Sequence, residues 1–144
     1  MGSKTFFRTS LSCTRCGTVN DGRQIDLSSP IGGYPDWDFV EPGEAVDAGV
    51  DDLEGPLLLL HRPEGERVFV IEFFVCESCR AYSPALIELR VRTPYVLEFV
   101  GATAIPALTR EALDKAHFIT DKIEEWTPQP GEDAERITQL KTNR

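Results

Sequence analysis

The four cysteines of this chain form two pairs with the same two-residue spacing. Cys13 and Cys16 make the first pair, and Cys76 and Cys79 make the second. Two intervening residues let the backbone fold into a tight turn, here called a knuckle, that presents both thiolates to one metal ion. Because the chain has no other cysteine, the two knuckles together offer the four ligands of a single tetrahedral site.

The residues beside the cysteines suit a zinc ion held by four thiolates. Gly17 follows the first pair, and glycine adopts without cost the left-handed backbone conformation that a knuckle needs. Arg80 holds the same position after the second pair, where a side chain introduces strain. Four thiolates around a divalent ion leave two negative charges, which Arg15 and Arg80 are placed to offset. We therefore predict a structural Zn²⁺ site with four ligands: Cys13, Cys16, Cys76 and Cys79.

Paired CxxC knuckles on hairpins resemble the zinc-ribbon class of proteins. The resemblance covers the knuckles and their flanking strands, residues 6–22 and 68–84, and it implies a sheet that brings the knuckles together. The spacing differs from that of a minimal ribbon, because 59 residues separate Cys16 from Cys76. The two pairs are also similar to those of small bacterial immunity proteins, which neutralise toxins.

The length and composition fit one soluble domain. The chain has 144 residues, of which 41% are hydrophobic and 27% charged, and we predict a domain over residues 1–128 followed by a polar tail, 129–144. Its start has no long apolar segment typical of a secretory signal, and its longest apolar runs are too short to span a membrane. We expect a cytoplasmic protein without membrane contact. In that reducing compartment, close cysteine pairs indicate metal binding or redox chemistry.

The net charge of −9 comes from one segment of the chain. Nine acidic residues and no Lys or Arg lie between Gln24 and His61, whereas the remaining acidic and basic residues balance. This segment contains an acidic insertion, residues 28–55, that repels a phosphate backbone and attracts a basic protein surface. We therefore expect a protein partner and no nucleic acid. The candidate contact residues combine aromatic rings with acidic groups: Asp36, Trp37, Asp38, Phe39 and Glu41.

The apolar pattern predicts several strands before a helix. Strand composition or alternation is found in residues 4–11, 67–75, 86–92 and 95–100. Residues 23–27 are predicted to return from the first knuckle as a hairpin strand, and residues 44–48 to form a helical turn.

Thr109 is a suitable N-cap for a helix that ends at Pro128. Apolar residues at alternating spacings of four and three give this helix one buried stripe: Ala112, Ala116, Ile119, Ile123 and Trp126. In the tail, residues 133–140 are compatible with a short helix. The fold class predicted is α+β, with an antiparallel sheet that carries two CxxC zinc knuckles and one C-terminal helix packed across it.

Three functions are compatible with these features. We favour a non-catalytic, zinc-stabilised protein-binding module, immunity-like or regulatory, because a site closed by four thiolates leaves no coordination position for a substrate. The alternative is a thiol–disulfide oxidoreductase that uses Cys76 and Cys79, since a buried strand precedes them and Pro84 follows. A strand pattern from Ile87, where such enzymes have a helix, disfavours it. The third function, a zinc ribbon accessory to nucleic-acid binding, is disfavoured by the charge.

Overall fold

The computed structural model describes residues 5–23, 25–29, 38–47, 62–93 and 96–142. Two of the predicted contact residues of the acidic insertion, Asp36 and Trp37, lie outside these ranges. The described part has the α+β class predicted from the sequence. The predicted division into a domain and a tail stays a prediction.

A five-stranded sheet forms the centre of the molecule. Its strands are β6 (Ala45–Asp47), β7 (Arg67–Val75), β8 (Tyr82–Thr93), β9 (Val96–Ala104) and β10 (Phe118–Ile119). The strand order is β10-β7-β8-β9-β6, and the pairs are antiparallel except for the parallel pair of β10 and β7. The predicted strands 67–75, 86–92 and 95–100 are thus confirmed, apart from residue 95, which is outside the described residues.

Alternation along β8 separates a buried face from a polar face, as predicted. Ile87, Leu89 and Val91 are buried, whereas Glu88 forms an ion pair with Arg67 across the strands. The buried face belongs to a first core, named core 1, that is built from both long hairpins and the N-terminal strands. The opposite face of the sheet contributes Ile71 and Phe73 to a second cluster, core 2, which the C-terminal elements cover. Side chains therefore pack against both faces of this sheet.

The N-terminal residues form two small sheets. Strand β1 (Thr5–Phe7) pairs with β4 (Ser28–Ser29) and β5 (Asp38–Val40), and β2 (Leu11–Ser12) pairs with β3 (Val19–Asn20).

Two local predictions are wrong here. The return strand of the first knuckle is β3, not residues 23–27, because the knuckle closes within six residues and Gly22 then packs against the backbone of Thr9. Within the predicted helical turn 44–48, residues 45–47 form strand β6, whose Val46 is buried and pairs with Leu97.

The predicted helix begins at its predicted N-cap, Thr109, but it does not extend to Pro128. Helix α1 spans only Arg110–Lys115, and the chain then forms β10 and a short 3-10 helix, Asp121–Glu125. The predicted short helix of the tail exists as α2, Ala134–Thr142, with Ile137 buried in core 2. Neither described α-helix has the length and apolar composition needed to cross a membrane.

Candidate metal centre

The first knuckle is held by backbone hydrogen bonds that close a tight turn between β2 and β3. The amide of Cys13 donates to the carbonyl of Thr18 at 2.9 Å, and the amide of Gly17 donates to the carbonyl of Cys13 at 3.0 Å. Gly17 has a φ of +77°, the left-handed conformation predicted for this position. The turn therefore places the thiols of Cys13 and Cys16 on the same side of the hairpin.

The second knuckle repeats this construction between β7 and β8. The amide of Cys76 donates to the carbonyl of Ala81 at 3.0 Å, and the amide of Arg80 donates to the carbonyl of Cys76 at 2.9 Å. Arg80 has a φ of +61° and is the one non-glycine residue with positive φ among the described residues. The predicted strain at Arg80 is therefore present, and the two hairpins have equivalent backbone hydrogen bonds around their cysteine pairs.

The four sulfur atoms lie at the distances expected of one tetrahedral site. Two Sγ–Sγ distances, Cys13 to Cys79 and Cys16 to Cys76, are both 3.7 Å, and all four ligand atoms lie within 4.8 Å of one another. A tetrahedron with metal–sulfur bonds of about 2.3 Å has edges of about 3.8 Å. A disulfide requires about 2.05 Å, so the sulfurs are spaced as ligands and not as bonded pairs. The donor set therefore fits a tetrahedral metal ion.

The thiols have different proton affinities because they compete for a few nearby donors. The side-chain hydrogen bond with Thr18 lowers the pKa of Cys16 to about 6. The backbone amide of Cys79 is the main cause that lowers the pKa of Cys76. For Cys79, the backbone amide of Ala81 lowers the pKa, but burial and the three neighbouring thiols outweigh it and raise the value to about 11. Thiolates this close repel one another, and a divalent cation supplies the charge that stabilises all four.

Asn20 braces the two knuckles against each other. Its side chain is 1% exposed, and its Nδ2 donates to the carbonyl of Leu11 at 3.2 Å and lies 3.6 Å from Cys76 Sγ. Its Oδ1 accepts from the amide of Glu77 at 2.9 Å, in the second knuckle. The position equivalent to Asn20 in the second hairpin is Ser83, whose buried Oγ has no hydrogen-bond partner among the described residues. The first hairpin alone therefore supplies such a brace.

Sequence reasoning missed this role of Asn20. Asn-Asp-Gly after a knuckle indicates a turn, and nothing in the local sequence shows that the amide side chain points across to a hairpin 56 residues away. The residue is buried because β3 pairs with β2, so that alternate side chains face the second knuckle.

The described part of the acidic insertion comprises β4, β5, the turn after β5, and β6. Phe39 is 49% exposed, and its ring stacks on Phe6 with centroids 5.0 Å apart, while the guanidinium of Arg8 lies 4.2 Å from its centroid. Asp38 pairs with Thr5 through the backbone, and Glu41 is exposed. The structure does not place these residues at the cysteine cluster, and their role as contact residues stays a prediction.

Comparison with protein-family models, with curated proteins and with solved structures gave no match to this chain.

Proposed function

We propose that this chain binds one zinc ion through Cys13, Cys16, Cys76 and Cys79, and that the ion has a structural role in a non-catalytic protein-binding module. The observation that supports the proposal is the cluster of four sulfurs with two edges of 3.7 Å. Four thiolates in a tetrahedron suit zinc or iron, and zinc is the usual ion of closed structural sites. The two matched knuckles supply two thiols each, as in the zinc-ribbon class.

A structural role follows from the ligand set. All four positions of a tetrahedral ion would be filled by protein thiolates, which leaves none for water or a substrate. The ion would join two hairpins that the chain separates widely, and its charge would allow four thiolates to stay ionised side by side. Arg15 and Arg80, next to ligands in the two knuckles, would offset the remaining negative charge.

The binding role is supported by the charge distribution. The chain has a net charge of −9, and its acidic insertion contains exposed residues such as Phe39 and Glu41. Such a surface favours a basic protein partner, as immunity-like or regulatory proteins require, and disfavours nucleic acid. We place the protein in the reducing cytoplasm, where free thiols persist.

Metal analysis tests the proposed site. We expect one zinc per chain, four thiols that alkylate slowly, and a loss of zinc from Cys16→Ser but not from Thr14→Ala, an exposed position of the same knuckle. A coloured protein that contains iron would contradict the choice of zinc. A metal-free protein with one rapidly alkylated cysteine would instead favour the oxidoreductase that uses Cys76 and Cys79.

Capture from native lysate tests the binding role. We expect the zinc-loaded chain to retain a basic protein, and a double variant, Glu41→Lys with Glu44→Lys, to lose it. Glu64→Lys is the matched control, because Glu64 is an exposed acid in the turn that leads into β7. Retention of nucleic acid alone, or of nothing, would contradict the proposal.

A further inference from the structure

Strand β7 has an outer edge that its neighbour β10 covers only in part. β10 pairs with β7 at Val70 and Ile71, whereas β7 continues to Val75. No other strand in the described part of the chain pairs with this side of β7. Among the described residues, the edge of β7 beyond Ile71 is therefore not paired with a further strand.

The direction of the backbone groups follows from the register. The carbonyls of Phe69 and Ile71 point towards β10, where they accept from the amides of His117 at 2.7 Å and Thr120 at 3.2 Å. Backbone groups alternate along a strand, so the odd-numbered residues of β7 face this edge and the even-numbered ones face β8. The amide and carbonyl of Val75 and the carbonyl of Phe73 therefore point away from the sheet. Val75 is also 43% exposed.

A cleft of about 360 Å³ is lined by Phe73, Phe74 and Val75 of this part of β7 and is named the edge cleft. Ile25, Phe74, Val75 and Tyr82 give it apolar walls, and residues of the second knuckle and the 3-10 helix line its rim. Adjacent strands lie about 4.8 Å apart, so an extended peptide beside β7 would run through this space. Its volume falls within the roughly 300–1,000 Å³ of ligand pockets.

The charges around the edge cleft favour a cation. Asp26, Glu77 and Glu125 are exposed carboxylates on its lining. Of the two lining cations, Lys122 has its Nζ 3.2 Å from a carboxylate oxygen of the buried Glu72. The other, Arg80, directly follows Cys79 in the chain. The three exposed carboxylates outnumber these two cations, and the excess of negative charge attracts a basic ligand.

We propose that the edge cleft binds an extended, Lys- or Arg-containing segment of a partner protein, which adds to the sheet as a strand along Phe73–Val75. This is β-augmentation, in which main-chain hydrogen bonds provide affinity and side-chain pockets provide specificity. The inference rests on the proposed function as a protein-binding module, and it adds a second contact surface to the acidic insertion, together with the chemistry of the segment that binds there.

Peptide selection with the zinc-loaded full chain tests the proposal. The probe is a random dodecapeptide library displayed on phage, followed by synthesis of the selected peptides. We expect selected sequences that alternate basic and apolar residues, and binding that weakens as salt is added. In ¹⁵N NMR spectra, the bound peptide should shift the amide resonance of Val75 more than those of the first knuckle.

Two substitutions with matched controls locate the peptide. Val75→Pro removes an amide that points out of the sheet, so the β7–β8 ladder stays intact and peptide affinity should fall at least about tenfold. Ser12→Pro, at the equivalent position of the first hairpin, should leave affinity unchanged. Glu125→Lys should weaken binding about three- to tenfold, whereas Glu124→Lys, on the same turn but outside the cleft lining, should not.

Several results would overturn the proposal. They are acidic selected peptides, no selected peptide at all, or affinity that survives both Val75→Pro and Glu125→Lys. If Val75→Pro loses zinc or fails to fold, Glu125→Lys and the Val75 resonance still decide the outcome. A partner protein captured from lysate that binds Val75→Pro normally would refute the edge cleft but leave the binding function standing. No captured partner and no selected peptide would refute both.

Discussion

A single residue, Arg80, shows the energetic difference between the two knuckles. Gly17 and Arg80 occupy equivalent left-handed positions, with φ of +77° and +61°. A side chain in this conformation costs about 1–2 kcal/mol, and glycine avoids that cost. Arg80 directly follows the ligand Cys79, and a positive charge near the site would stabilise thiolates, which gives a physical reason for accepting the strain.

Substitutions at these equivalent positions separate strain from charge. Arg80→Ala removes only the charge, whereas Arg80→Gly removes the charge and the strain, so Arg80→Gly should be the more stable by about 1 kcal/mol. Gly17→Ala should cost about 1 kcal/mol from conformation alone, because a Cβ at Gly17 would meet no atom within 4 Å. Urea unfolding of the zinc-loaded proteins measures these differences. Equal stability of the two Arg80 variants would contradict strain at this position.

Asn20 should control how tightly the site holds its metal. Asn20→Ala leaves the amide of Glu77 without its acceptor and removes the donor near Cys76 Sγ. Residues that orient metal ligands typically contribute about 10–100-fold in affinity, and we expect a loss in that range. Competition with a chelator measures it, and Thr14→Ala is the control. Asn20→Asp keeps the acceptor but not the donor, so an affinity equal to that of the natural chain would show that the donor has no role.

At the scale of elements, the C-terminal region shows why a correct apolar pattern led to a wrong helix. Ile119, Ile123 and Trp126 are buried in core 2, as the predicted stripe required. Ile119 lies in strand β10, Ile123 lies in the 3-10 helix, and Trp126 directly follows that helix. Ile119 pairs with Ile71, because the backbone of buried strand β7 needs partners that a helix cannot supply. Spacing in the sequence thus predicted burial but not the backbone hydrogen bonds.

The knuckles were predictable because their geometry is local. CxxC spacing and the glycine after Cys16 specify one turn each, and alternation after Cys79 specifies strand β8. The contacts of Asn20 with the second knuckle and the partial pairing of the β7 edge both involve residues that are distant in the sequence. The periodicity of apolar residues carries no information about such contacts. The sheet order is likewise set by long-range pairing, such as that of β6 with β9.

The contact of β7 with the 3-10 helix introduces a pH dependence through Glu72. Desolvation by burial raises the pKa of Glu72 from 4.5 to about 7, although Lys122 opposes the shift and Thr120 lies nearby. The folded state therefore binds a proton that the unfolded state releases between pH 4.5 and 7. The contribution of Glu72 to stability is greatest below pH 4.5 and decreases by about 3 kcal/mol as the pH rises to 7.

Glu72→Gln removes this titration without removing the side chain. Relative to the natural chain, the variant should gain about 3 kcal/mol of stability between pH 4.5 and 7.5, and the gain should level off above pH 7.5. Denaturant unfolding of both proteins across this pH range measures the difference between their free energies of unfolding. Effects of pH on the thiols are common to both proteins and cancel in that difference. Glu125→Gln, at an exposed carboxylate of the same 3-10 helix, is the matched control. Parallel pH profiles for Glu72→Gln and the natural chain would contradict a raised pKa.

At the scale of the whole molecule, the cysteine site lies at one end of the long hairpins and outside both hydrophobic cores. Leu11 and Phe74, each two residues before a knuckle, belong to core 1, whereas none of the four cysteines belongs to either core. Core 1 packs on one face of the central sheet and core 2 on the other. The sheet therefore has apolar support independent of metal, and the metal orders the hairpin ends where the edge cleft begins.

Removal of zinc should consequently loosen one end of the protein and leave the sheet folded. Structural zinc contributes an apparent 10–16 kcal/mol or so in small zinc peptides, which have little core of their own. Here, chelation at neutral pH should preserve the far-UV circular dichroism of the sheet and lower the melting temperature. Amide hydrogen exchange should accelerate in residues 13–20 and 76–82 but remain slow at Ile87 and Leu89 in the centre of β8. Cys16→Ser should reproduce this pattern without a chelator. Global unfolding after chelation, with protection lost equally in β8 and the knuckles, would show that the two cores cannot hold the sheet without the ion.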